Sequence, residues 1–260
     1  MQLLSSPKSE DPQDHLQMML RYAQTDRPNE LNLDSMTLRL AMSNFGSVHQ
    51  TSIAVTNIIF NVLESDMEYN TIAVLRKEAA EVLGECGGSW TKATAAKMVR
   101  ADSVCRETLR INAFGNRSLI RKVMVDDLTT EDGILLPKGA LVSVLAHPAQ
   151  CDEEAFTDPT KFDPWRFSRI REQCPESGDK SSLVSLGPQN LPFGLGRHAC
   201  PGRFLLDFEL KMILAYLFTN YDVELHPEHE GKRPESMWFA EAIFPPKEGK
   251  IRVKRREVKS

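Results

Sequence analysis

Paired cysteines are missing from this chain. Its five cysteines, Cys86, Cys105, Cys151, Cys174 and Cys200, include no CxxC spacing. An odd, scattered set argues against a disulfide framework or a zinc ribbon and fits a reducing compartment. The opening "MQLLSSPKSED" lacks a basic region followed by an apolar run, so no signal peptide is expected. Charge vanishes locally, because Leu40 to Leu63 holds no Asp, Glu, Lys or Arg. Its Ser, Asn, Gln, Thr and His residues still make that stretch too polar for a bilayer span, and a helix buried in protein suits it better. A net charge of -4 gives no reason to expect nucleic acid as a partner. Internal repeats and low-complexity tracts are absent.

What remains is ordinary globular material. With 260 residues, 41% hydrophobic and 26% charged, the chain can form one large domain or two small ones with ample core. A short helical segment, "QDHLQMMLRYAQ", closes at "TDRPNE". Asp34 or Ser35 can then cap a long helix over residues 34–64, with a polar, kink-like centre at "NFGSVHQTS". Asn70 is positioned to cap "NTIAVLRKEAAEVLGE", which "CGG" stops. A third helix fits residues 97–112. Short strands are expected in "RKVMVDDLTTEDGILLPKGALVSVL", where "DG" and "PKG" mark turns. Asp152 to Pro192 reads as loop, Pro201 to about Asn220 as a last helix, and the tail as strands. The fold class is mainly α with a small β component.

The stretch "FGLGRHACPGRF", residues 193–204, carries the chemistry. Pro201 suits the first turn of a helix, which would place the Cys200 sulfur at the positive helix end, where a thiolate is favoured. Gly196 and Gly202 let the backbone approach a flat partner, and Phe193 can pack against it. Arg197, His198 and Arg203 offer donors to acidic groups at its rim. Haem, planar and edged with carboxylates, with Cys200 as axial thiolate, fits this set. A lone cysteine at a helix start is otherwise a buried structural residue; the surrounding twelve residues outweigh that reading.

The segment "FGLGRHACPG" resembles the haem-binding loop of the cytochrome P450 superfamily, with Phe193, Gly196, Cys200 and Gly202 on its fixed positions. The family usually has arginine two residues before the cysteine; here His198 stands there, with Arg197 beside it. "ETLR" supplies a second match. Glu107 and Arg110 lie three apart on one helix, a spacing that on an exposed face would be a common ion pair. In the family it forms a buried network with an arginine from "PxRF", and "PWRF" provides Pro164, Arg166 and Phe167. These would brace the loop rather than catalyse. The resemblance also implies an arginine that meets a haem propionate: Arg121, eleven residues beyond Arg110, with Arg117 as the competitor.

In the family, the long helix carries an acid and a threonine that hold water and relay protons toward dioxygen. One register of "FGSVHQTS" puts His49 at the acid position and Gln50 at the threonine position. Sliding by one puts Gln50 and Thr51 there. Neither restores a carboxylate, and the plain alternative for His49 is a core histidine. Two weaker signals, "HPEH" (His226, His229) and the basic tail "KEGKIRVKRREVK", read as a solvated loop and a solvated strand.

The resemblance implies the C-terminal part of the cytochrome P450 fold, with no counterpart here for what the family places earlier. It also implies haem b (iron protoporphyrin IX) as cofactor. The function that follows is a monooxygenase inserting one atom of O2 into a small apolar molecule, with electrons from an NADPH-dependent cytochrome reductase. "GRHACPGRF" and "FPPKEGKIRVKRR" are most similar to oxidases of fungal secondary metabolism, acting on terpenoids or polyketides. With neither anchor nor leader the chain is expected to be cytosolic as written, and a complete homologue would sit on the cytosolic face of the endoplasmic reticulum. The alternatives are a truncated, non-catalytic remnant and a haem-binding sensor.

Overall fold

A computed structural model describes residues 14–174 and 180–257. The opening eleven residues read for a signal peptide, Gln13 of the first helical segment, part of the 152–192 loop and the last two residues of the basic tail segment lie outside them. The chain divides into two compact units between Gln50 and Thr51.

In the first unit, α1 (His15–Asp26) begins where the Asp14 carboxylate accepts the Gln17 amide at 2.8 Å. A 3-10 turn, Pro28–Glu30, leads into α2 (Leu33–Tyr69), where Glu30 pairs with Arg27 at 3.2 Å and with Arg39. The α2 cap is Asn32, whose side chain accepts the Ser35 N–H at 2.9 Å, and not the expected Asp34 or Ser35. Two residues before Asp34, the Asn32 side chain supplies the acceptor for a first-turn amide. The helix is also longer than expected. It continues to Tyr69 with no break at its polar centre.

In the second unit, α3 (Thr71–Glu85) follows at once, because Asn70 turns the chain at φ +54. Asn70 makes no side-chain cap; the Asp66 carboxylate caps α3 instead, accepting the Ile72 amide at 2.7 Å. Gly87 and Gly88 end that helix at φ +63 and +74, as "CGG" suggested. After α4 (Lys92–Ala96), α5 (Val99–Asn112) has no capping side chain of its own. Glu78 of α3 replaces one, accepting the N–H groups of Arg100 at 2.6 Å and Ala101 at 2.9 Å. Burial nevertheless pushes the Glu78 carboxyl pKa upward, against those two hydrogen bonds.

Among the described residues, β1 (Arg117–Lys122), most of it ahead of the stretch expected to form strands, pairs antiparallel with β4 (Leu141–Leu145), and β2 (Leu128–Thr129) pairs with β3 (Leu135–Leu136) as expected. The tail supplies β5 (Tyr221–Leu225) paired with β8 (Ile251–Arg255), and the hairpin β6 (Met237–Phe239) and β7 (Ala242–Phe244). Short α6 (Ala146–Gln150) follows β4. The stretch read as loop contains α7 (Arg166–Gln173), an eight-residue helix whose charged sequence hides its two buried residues, Phe167 and Ser168. The last helix, α8, spans Arg203–Asn220, so Pro201 lies in the turn before it rather than in its first turn.

The core of this unit gathers Ile58 and Val62 of α2, Leu75 of α3, Val104 of α5, and Leu210, Leu214 and Phe218 of α8. It wraps α5, eleven of whose fourteen residues are buried, and this burial fixes the elements around the cysteine loop. No described helix is long and apolar enough to cross a membrane.

Candidate functional site

The cysteine loop is closed by its own backbone. Leu191 O accepts Gly194 N–H at 2.9 Å, and Phe193 O accepts Cys200 N–H at 2.8 Å. Between them lies a 3-10 turn, Gly196–His198. Gly194 and Gly196 stand at φ +72 and +70, a region other residues rarely enter, so both glycines follow from the turn itself. Gly202 has an ordinary φ, and a Cβ there would lie 3.7 Å from the Cys200 sulfur. That is ordinary van der Waals contact, so neither the backbone nor the space requires glycine at this position.

Cys200 is exposed, whereas Cys105 is fully buried and its thiol pKa is raised by that burial. The structural-cysteine reading therefore suits Cys105 and not Cys200. Phe193 is buried in the core and fixes the loop from behind. Arg197 and His198 are exposed neighbours, with Arg197 Nε donating to His198 Nε2 at 3.1 Å. Arg203 does not reach a rim. It donates to Val184 O at 3.2 Å and to Cys200 O at 2.7 Å, so its donors serve the loop's own backbone.

Beneath the loop the Glu107 network is present and buried. Arg110 grips Glu107 with two hydrogen bonds of 2.8 Å, and Arg166 Nε reaches the same carboxylate at 3.0 Å. The Asp163 amide adds a fourth donor at 3.2 Å. Arg166 also holds Thr157 O at 2.7 Å, and Arg110 holds Gln150 O at 2.7 Å. Glu107 is 0% exposed, so each donor acts in a low-dielectric setting. The common-surface-pair reading does not describe these residues.

Strand β1 abuts the loop. Ser118 Oγ donates to Leu191 O at 3.2 Å, and a Cβ on Gly194 would sit 3.9 Å from Leu119 Cδ2. Leu119, at φ +56, marks a bulge in the β1–β4 register between Ser118 and Arg121. Of the two competing arginines, Arg117 pairs with Glu241 at 3.1 Å, while exposed Arg121 donates to Ile120 O at 2.9 Å.

His49 and Gln50 close the first unit and Thr51 opens the second. His49 is exposed, its ring edge-on to Phe45 with centroids 5.0 Å apart, which is not the setting of a core histidine. His226 and His229 sit in a 3-10 turn around Glu228, and the Lys250 amide donates to His229. Among the described residues no group of three or more His, Cys, Asp or Glu could hold a bare metal ion. A cavity of about 360 Å³ elsewhere, lined in part by Glu64, His147, Arg233 and Trp238, does not include Cys200.

Three functional residues escaped sequence reasoning. Gln150, 0% exposed, links Arg110 to Leu191. Asp102 and Lys211 form a second buried pair, at 2.7 Å. A lysine inside the apolar run "ELKMILAYLF" was the available signal, since such a charge needs a buried partner.

An exposed thiol outside any cluster of metal-ligating side chains among the described residues fits an iron whose other ligands come from a macrocycle, and so fits haem. The sequence profile of the family described as Cytochrome P450 matches residues 2–253. The chain belongs to the cytochrome P450 family. It is 54% identical over 255 residues to cytochrome P450 monooxygenase pbrC of Penicillium brasilianum, covering 96% of this chain and 48% of that protein. Against cytochrome P450 monooxygenase astC of Aspergillus terreus it is 53% identical over 258 residues, covering 96% and 48%. Against tenB of Beauveria bassiana it is 45% identical over 262 residues, covering 97% and 49%. The chain spans about half the length of the curated relatives it matches.

Proposed function

We propose that this chain supplies the thiolate side of a monooxygenase of fungal secondary-metabolism type, binding haem b through Cys200. The observation that carries the reading is the exposed Cys200 thiol, on a loop closed by the Cys200 amide donating to Phe193 O. When bound, haem with a thiolate ligand supplies activation of O2, from which one oxygen atom passes to a C–H bond or double bond of a small apolar substrate. Cys200 would hold the iron, and its thiolate would supply the electron density that favours O–O cleavage. Glu107, Arg110 and Arg166 brace the loop, through Gln150, which bonds both Arg110 and Leu191. Arg121, with no carboxylate partner among the described residues, is the cation available to a propionate, and Arg197 and His198 add donors at the rim. Electrons come from an NADPH-dependent reductase. The monooxygenase names of the relatives support this class of reaction.

The test is spectroscopic. Loaded with haem, reduced and exposed to carbon monoxide, the protein is expected to show the red-shifted Soret band of thiolate ligation. Cys200→Ser should abolish that band. Its persistence in the variant would remove Cys200 from the ligand role.

A further inference from the structure

Asp102 lies on α5, one turn before the Glu107 network, and outside it. It is buried, and three separate parts of the chain meet at its carboxylate. Leu183 N–H donates to it at 2.9 Å, Arg171 of α7 pairs with it, and Lys211 of α8 reaches it at 2.7 Å. Lys211 is 3% exposed and also contacts Asp207 at 2.6 Å, a charge contact rather than a well-aligned hydrogen bond. Burial works against the Lys211 charge, but Asp102 and Asp207 outweigh it and hold the ammonium pKa above its ordinary value.

The geometry beyond that pair leads to the cysteine. Arg203, Asp207 and Lys211 occur at intervals of four and so share one face of α8. The segment that Asp102 holds by Leu183 is gripped one residue later by Arg203, through Val184 O at 3.2 Å. The same guanidinium donates to Cys200 O at 2.7 Å. Arg106, four residues after Asp102 on α5, takes Lys180 O at 2.8 Å, Ser182 O at 3.2 Å and Ser185 Oγ at 3.1 Å. The 180–185 segment is thus fastened to α5 on one side and to α8 on the other.

We infer that Asp102 and Lys211 are positioning residues for Cys200: they fix the axial register of α8 and of the 183–184 segment, and Arg203 transmits that register to the loop. The role rests on the reading of Cys200 as the iron ligand. The geometry itself is a property of the chain alone. A side chain that only filled core volume would not need two carboxylates, and its loss would loosen the whole unit rather than one end of it.

Amide hydrogen exchange on the full chain tests this without haem. Lys211→Met keeps the side-chain length, and Asp102 stays paired with Arg171. The variant should speed exchange of Ala199, Cys200 and Leu206, whose amides close the loop and the first turn of α8, by about ten-fold. Exchange in the β5–β8 ladder, 221–225 with 251–255, should stay unchanged. Lys211→Arg, which restores the charge, should recover most of the protection. If Lys211→Met yields no folded chain, Asp102→Asn is read by the same amides. A second readout follows haem loading: the share of the reduced carbon monoxide complex absorbing as thiol instead of thiolate should rise in Lys211→Met. Unchanged exchange at 199–206, or an equal rise in the β5–β8 ladder, would overturn the positioning role. A wild-type chain that takes up no haem would overturn the proposed function, while the exchange result would still decide this inference.

Discussion

Gln150 accepts the amide proton of Leu191 at 3.0 Å through its side-chain oxygen. Its side-chain nitrogen donates to Arg110 O at 3.1 Å, and its backbone carbonyl takes Arg110 Nη1 at 2.7 Å. Leu191 O in turn accepts Gly194 N–H, where the cysteine loop begins. One neutral, fully buried amide therefore joins the Glu107 network to the loop that carries Cys200. A charged or aliphatic residue could not serve both ends at once.

Gln150→Leu should strand the Leu191 N–H and the Arg110 carbonyl in the interior. Leaving buried groups unsatisfied costs about 1–3 kcal/mol. Denaturant unfolding should show a loss of that order, with faster amide exchange at 191–200. A variant as stable as wild type would mean that water or another group replaces the amide at both ends.

Glu107→Ala should be more severe. It leaves buried Arg110 and partly buried Arg166 without their shared carboxylate, an arrangement that costs about 3–5 kcal/mol. The expected outcome is poor folding and poor haem retention, with near-normal turnover per haem that remains. Normal haem content with a selectively lost rate would give Glu107 a catalytic role instead.

Much of this was legible in the residues. Pro164, Arg166 and Phe167 announced the partner of "ETLR", and the runs broken by "DG" and "PKG" announced β2 to β4, whereas most of β1 lies ahead of that stretch. The helix α7 was not legible, since "RFSRIREQ" has too few apolar residues for a periodic signal and is held by tertiary pairing. Caps failed for a related reason. Glu78 caps α5 from another helix and Asp66 caps α3 from the preceding one, so no local pattern marks either. The Asp102–Lys211 pair joins residues more than a hundred positions apart, and only its chemical oddity showed in the sequence.

His147 gives a pH dependence with a definite sign. Burial pushes its imidazole pKa down, and the Arg110 charge adds to this, against a hydrogen bond that the ring donates to the Ile111 backbone. The folded state thus prefers the neutral ring. In the unfolded chain the ring takes up a proton near about pH 6.5. The stability due to neutral His147 is present above that value and is lost as pH falls from it toward the lower folded pKa. His147→Phe should flatten the decline in unfolding free energy between about pH 7 and pH 5.5. Parallel curves for the two proteins would exclude His147 as its source.

Arg121 and Arg117 separate by their present partners. Arg117 already pairs with Glu241, and Arg121 reaches the carbonyl of its neighbour Ile120 and no carboxylate among the described residues. Arg121→Gln should therefore weaken haem retention, measured as the rate of haem transfer to an acceptor protein. Arg117→Gln should leave that rate near wild type. The reverse ranking would give the propionate to Arg117.

The remaining prediction concerns the proton supply on α2. Neither register of "FGSVHQTS" places a carboxylate at its centre, so the family's usual acid has no equivalent here. An imidazole can carry a proton near neutral pH, whereas the Gln50 amide can only hold a water in place. His49 is exposed and touches Phe45 edge-on, which leaves its ring nitrogens accessible to water. We propose that His49 passes protons through ordered water during O2 reduction in the full-length enzyme. His49→Phe should keep the carbon monoxide spectrum, because Cys200 is untouched, while more of the electrons consumed are lost as hydrogen peroxide. Thr51→Ala should raise peroxide only if the slid register, with Gln50 and Thr51 at the paired positions, is the working one. Peroxide formed per electron consumed in the two variants thus identifies the register. Unchanged coupling in both would show that this helix supplies no protons.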